Sequence, residues 1–118
     1  MVRRMGLDGQ WKLKGIDGHR GSPESYCAEL VDERTFVVAR VPGEVHLDLM
    51  RQGRIEDPRL GTNALKARWV EEECWIYRRT FVAPQEALAA RKAWLVFEGL
   101  DLAAEVYLNG QRVGTHAN

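Results

Sequence analysis

The sequence predicts an all-β domain of the sandwich or jelly-roll kind, carrying one short helix. Three observations predict it. Several stretches alternate apolar and polar residues with period two. An Asn109-Gly110 pair stands between two such stretches, where a tight hairpin turn needs positive φ at both central residues. Nowhere do strand-like and helix-like stretches alternate regularly, so a parallel sheet built from βαβ units is excluded.

Taken in order, Gln10 to Lys14 (QWKLK) reads as a half-buried strand with Trp11 and Leu13 inward. Gly15 to Ser25 is rich in Gly, Asp, Ser and Pro and predicts a loop. Thr35 to Val41 (TFVVARV) is dense in β-branched and aromatic residues and predicts a strand, which Pro42-Gly43 ends. Glu44 to Gln52 changes period. Val45 and Leu49 lie four apart, as do His46 and Met50, which places each pair on one side of a helix. Gly53 supplies a C-terminal stop.

Glu56 to Arg68 predicts a long connection through Asp57-Pro58, Gly61 and Asn63, of a length that usually serves function. Cys74 to Val82 (CWIYRRTFV) predicts the longest strand, with Trp75, Tyr77 and Phe81 on one face and Ile76, Arg78 and Thr80 on the other. Beyond Pro84, Ala87 to Lys92 predicts a helical turn. Ala93 to Glu98 (AWLVFE) predicts another strand, closed by Gly99. Ala104 to Leu108 and Gln111 to Thr115 are the arms of the predicted hairpin. That makes six or so strands in one domain spanning residues 1–118, and a chain that stops just after a hairpin. A sheet ending there has an unpaired edge, so the reading is a fragment or a chain completed by a partner.

Composition narrows the function classes. Apolar residues at 45% and charged residues at 29% describe an ordinary globular chain rather than a disordered one. Lys+Arg and Asp+Glu both number 17, and this balance gives no basic excess for nucleic acid or an anionic membrane. No apolar run reaches the roughly 20 residues that span a bilayer. The basic start, Met1 to Gly6, is not followed by an apolar segment, so no signal peptide is visible and a cytoplasmic location is expected. Cys27 and Cys74 are too far apart for CxxC spacing and predict two reduced, partly buried thiols.

Three segments together resemble the N-terminal domain of family 2 glycoside hydrolases, the β-mannosidase branch in particular. Val41-Pro42-Gly43-Glu44-Val45-His46-Leu47-Asp48-Leu49 is similar to that branch's P-G-x-V-H-x-D-L stretch and is followed by Ile55-Glu56-Asp57-Pro58. Asn63 to Phe81 resembles its N-E-x-x-x-x-W-V-x-x-x-W-x-Y-R-x-x-F pattern. Phe97-Glu98-Gly99-Leu100-Asp101, leading to Glu105-Val106-Tyr107-Leu108-Asn109-Gly110, resembles its F-x-G-L-D-x-x-A-x-V-x-L-N-G segment. The order and spacing match from Val41 onward. The chain departs from the pattern at Glu44, often Cys in the family, at Ala64, often Glu, and at Cys74, often Asp.

The resemblance implies a jelly-roll, galactose-binding-like fold, incomplete at its C-terminus. It also implies a parent enzyme in which two immunoglobulin-like domains flank a catalytic TIM barrel. That barrel would carry the paired glutamates of a retaining hydrolase. The substrate expected of the parent is a β-mannoside. The loop before the Tyr-bearing strand would approach the barrel mouth, where an asparagine resembles a sugar-contacting residue. Asn63 is the position that matches, and an amide suits a hydroxyl because it both donates and accepts. The bland alternative is an Asn in a Gly61-Thr62-Asn63 turn. Trp69 is the second candidate, as a stacking platform for a pyranose, against an equally simple core role; alternation places Trp75 and Tyr77 in the core.

The chain's own residues offer no reaction machinery. Glycoside hydrolysis uses two carboxylates about 5–9 Å apart. Asp57, Glu71, Glu72, Glu73, Glu98 and Asp101 are candidates by type, yet no pair is singled out by spacing. His19, His46 and His116 lack metal-ligand spacing, and His46 is better placed to order the start of its helix. Ser22 and Ser25 lack a G-x-S-x-G frame. Neither a cofactor nor a metal is expected. The leading expectation is a non-catalytic accessory domain that packs against a barrel outside this chain. A free-standing carbohydrate-binding module, or an assembly protein completed by another chain, are the alternatives.

Overall fold

The computed structural model describes residues 4–17, 23–101 and 103–117, so His19 and Ser22 lie outside the described residues. The chain forms two compact units. One comprises Leu7–Cys27 and Val31–Arg79; the other comprises Met1–Gly6, Ala28–Leu30 and Thr80–Asn118.

The first unit is built on three antiparallel strands, β1 (Gly9–Ile16), β2 (Val37–Val41) and β3 (Cys74–Arg78), in the order β2-β1-β3. Leu13 of the central strand sits opposite Val37 on one side and Tyr77 on the other, and it is 0% exposed. The register puts Trp11, Leu13, Ala39, Trp75 and Tyr77 on one face, as alternation predicts. The opposite face is buried as well. Ile16, Phe36 and Ile76 form a cluster there, packed by Tyr26, Cys27 and Val31. A 3-10 helix, Pro23–Cys27, supplies Tyr26, whose ring stands 6.2 Å from that of Phe36. Ile76, assigned by alternation to the face away from the aromatics, is therefore a second core residue.

Polar bonds tie this layer down. Arg78 of β3 donates through Nη1 to the Tyr26 carbonyl (2.8 Å) and through Nε to Glu33 (3.3 Å). Lys14 donates to Thr35 Oγ1 at 2.9 Å and lies 5.4 Å from the centre of the Tyr26 ring. Gly15 faces Trp75 across the β1–β3 ladder, and a Cβ there would come within 2.8 Å of the indole. Glycine at this position lets the Trp75 ring lie across the central strand. Strand β3 is shorter than predicted. Its ladder with β1 ends at the Lys12–Arg78 pair, so Phe81 lies outside the strand.

Between β2 and β3 the chain makes an excursion containing three short helices, α1 (Val45–Arg51), α2 (Asn63–Lys66) and α3 (Trp69–Glu72). The prediction held one of them. The four-residue helices α2 and α3 are too short to show a helical period; α2 lies inside the predicted Glu56–Arg68 connection and α3 directly follows it. A second cluster, Leu49, Ala67 and Val70, packed by Val45, Ile55 and Trp75, holds the excursion together.

The second unit contains α4 (Gln85–Ala89) and a hairpin of β4 (Ala103–Leu108) and β5 (Gln111–Ala117). The turn is Asn109-Gly110 with φ of 51° and 81°, the left-handed pair that the dipeptide predicts. The predicted strand at Ala93–Glu98 does not form: these residues join no ladder among the described residues. Trp94 is 81% exposed and Val96 is 75% exposed. The sequence has strand propensity there, but a strand exists only against a partner whose N–H and C=O groups complete its ladder. Cys27 and Cys74 are thiols, Cys27 half-buried and Cys74 exposed. Among the described residues no helix is long and apolar enough to cross a membrane.

Candidate functional site

The excursion at residues 42–73 carries both residues singled out by the sequence, and its geometry begins with α1. Val45 and Leu49 point into the second cluster, as their spacing of four predicts. Gly53 ends the helix with φ of 69°. Its N–H bonds the Met50 carbonyl, and the Arg54 N–H bonds that of Leu49. This crossed pair is a Schellman stop, which requires a left-handed residue and so favours glycine.

The next turn is locked by charge. Asp57 accepts the Arg59 backbone N–H at 2.9 Å and the Arg59 guanidinium at 3.0 and 2.8 Å. Those side-chain bonds, then the backbone bond, hold the Asp57 carboxyl down at about 2. The Asp57 carbonyl in turn accepts the Leu60 N–H and, at 3.0 Å, the side-chain amide of Asn63. Asn63 thus closes the loop that it follows. Its side-chain oxygen takes no bond among the described residues.

A cavity of about 260 Å³ lies between α1 and this turn, lined by Glu44, His46, Leu47, Met50, Asp57, Pro58 and Arg59. Neither Asn63 nor Trp69 lines it; Asn63 is joined to its wall through Asp57. Trp69 opens α3 rather than lying in a loop. It is 40% exposed, and its ring stands 6.2 Å from that of Trp75 at an interplanar angle of 43°. Trp75 donates its indole N–H to the Val70 carbonyl at 2.7 Å and packs on the second cluster, in keeping with a core role. Tyr77 is half-buried; burial first, then the charges of Asp48 and Glu44, push its hydroxyl up to about 12.

Among the carboxylates the sequence offers, Asp57 is committed to Arg59, Glu71 and Glu72 face solvent on α3, and Glu98 and Asp101 are exposed in the other unit. No group of His, Cys, Asp or Glu among the described residues could hold a metal ion. Sequence reasoning missed Asp48, which is only 2% exposed. Its Oδ1 accepts the Arg40 backbone N–H at 3.1 Å and meets Arg51 Nη1 at 3.4 Å, and its Oδ2 has no hydrogen-bond partner. The available signal was its position: Asp48 lies three residues after Val45 and next to Leu49, on the apolar side of α1.

Residues 11–118 match the family described as glycosyl hydrolase 2 galactose-binding domain-like, and the chain belongs to that family. It is 47% identical over 101 residues to beta-mannosidase B of Emericella nidulans, covering 86% of this chain and 11% of that protein. With beta-mannosidase B of Thermothelomyces thermophilus the identity is 43%, over 73% of this chain and 10% of the relative. The crystal structure of a beta-D-mannosidase from Dictyoglomus thermophilum superimposes with a TM-score of 0.74 at 41% identity, covering 93% of this chain and 12% of that one. The chain therefore spans about a tenth of the length of these relatives. The expected all-β, galactose-binding-like fold and the β-mannosidase likeness are both borne out.

Proposed function

We propose that this chain is a non-catalytic accessory domain of a β-mannosidase-type glycoside hydrolase, and that its 42–73 excursion forms one wall of a β-mannoside pocket. The rest of the pocket, with the paired carboxylates of a retaining mechanism, would belong to a catalytic barrel outside this chain. The observation that carries the reading is the excursion itself. Three short helices, a bidentate Asp57–Arg59 pair and the Asn63 bond to Asp57 fix a shaped surface. Asn63 is the proposed sugar contact, with its side-chain oxygen available to accept from a hydroxyl. Trp69 is the proposed stacking face, since its ring is partly open to solvent while that of Trp75 is packed.

The test joins the chain in frame to the barrel-bearing remainder of a β-mannosidase and replaces Asn63 and Trp69 by alanine in turn. Losing one contact made equally to bound substrate and transition state should raise KM for an aryl β-mannoside about tenfold, with kcat nearly unchanged. Unchanged KM in both variants would sink the assignment. A free-standing carbohydrate-binding module is favoured only by the open face of Trp69. Calorimetry of the chain alone against mannose separates the two readings: the accessory role predicts no binding at millimolar sugar, and the module predicts saturable binding lost in Trp69→Ala.

A further inference from the structure

Among the described residues, strand β2 is an outer strand of its sheet, paired with β1 on one side only. In such a strand every second residue turns its N–H and C=O away from the sheet, and that open row is where another chain can add a strand. Here the row is occupied. The Arg40 N–H bonds Asp48 Oδ1 at 3.1 Å, and the Val38 carbonyl accepts the side-chain amide of Gln52 at 3.3 Å. Val38 and Arg40 are two apart, so both present their backbone groups to the same side. Asp48 on α1 and Gln52, which caps its C-terminal end, are four apart, so both reach that side from one helical face. One accepts and the other donates, as a neighbouring strand would.

We propose that Asp48, assisted by Gln52, makes α1 a surrogate edge strand. It closes β2 to added strands, and it fixes α1, which carries His46, Leu47 and Met50 into the cavity wall. The burial of Asp48 supports this. A carboxylate 2% exposed, with one oxygen lacking a hydrogen-bond partner among the described residues, is costly to keep unless the other oxygen has a structural task. Asp48 is a positioning residue, and this inference holds whether or not the chain serves a hydrolase.

The experiment is amide hydrogen exchange on the chain, read residue by residue. The Arg40 amide should be protected even though it faces away from β1. Asp48→Leu places an apolar side chain at this buried position on the helix and removes the acceptor. It should speed Arg40 exchange at least tenfold while leaving Ala39, which faces β1, within about threefold. Asp48→Asn keeps an acceptor oxygen and should retain most of the protection. Sedimentation of Asp48→Leu should show concentration-dependent association that the unaltered chain lacks. Rapid exchange at Arg40 in the unaltered chain, or equal loss of protection in Asp48→Asn and Asp48→Leu, would overturn the proposal. Should Asp48→Leu not fold, Asp48→Asn decides alone: protection kept at Arg40 supports the acceptor role, and protection lost refutes it.

Discussion

The two units use similar sequence material to different ends. Val37–Val41 and Ala93–Glu98 are both short, apolar and rich in strand-forming residues. The first becomes β2, because Gly9–Leu13 pairs with it on one side and α1 closes the other. The second pairs with nothing among the described residues and leaves Trp94 and Val96 in solvent. Propensity is the same in kind; the ladder makes the difference. A strand is a property of two segments: Val37–Val41 finds its partner in β1, and Ala93–Glu98 has none among the described residues.

This contrast can be broken by mutation. The largest effect belongs to the closed sheet: Leu13→Ala should cost about 2–5 kcal/mol in chemical denaturation, because it empties a fully enclosed site. Val96→Ala should stay within about 0.5 kcal/mol, as exposed positions do. Equal costs would erase the distinction. Gly15→Ala comes next, at about 1–3 kcal/mol, because its Cβ would press on the Trp75 ring within the packed layer.

Smaller effects follow titration. Tyr77 has its hydroxyl near 12 in the fold against an ordinary 10, so the folded state holds that proton more tightly. Its contribution to stability is complete below pH 10 and is lost as pH rises from about 10 to 12. Tyr77→Phe should flatten that limb of a denaturation-against-pH curve. The smallest effect is local. Asp57 stays ionised down to about pH 2, and whatever stability its pairing contributes is present above 3.8 and fades as pH falls through 2. Arg59→Ala should return the Asp57 carboxyl toward its ordinary value in a carbon-detected NMR titration, since the Arg59 bonds are the leading cause of the shift.

Much of the sheet was legible in the sequence, since period two marked β1 and β3, β-branched and aromatic density marked β2, and Asn109-Gly110 marked the hairpin. The α1 stripe was legible from the spacing of four between Val45 and Leu49, and its end from Gly53. The helices α2 and α3 were not, because four residues hold barely one turn and their order comes from Ala67 and Val70 packing under Leu49. The candidate site was half legible. Type and position brought out Asn63 and Trp69, but only the fold shows that Asn63 closes the 57–63 loop and that Asp57 is bound to Arg59. Asp48 escaped because a charge on an apolar stripe carries no meaning until its partner, a backbone N–H on another element, is known.

The central proposal is that this family 2 galactose-binding-like domain shapes a pocket and performs no chemistry. The most direct test incubates the purified chain with an aryl β-mannoside. The account predicts no turnover above a buffer blank. Turnover that co-purifies with the chain and disappears when Glu71, Glu72, Glu98 or Asp101 is replaced would contradict it.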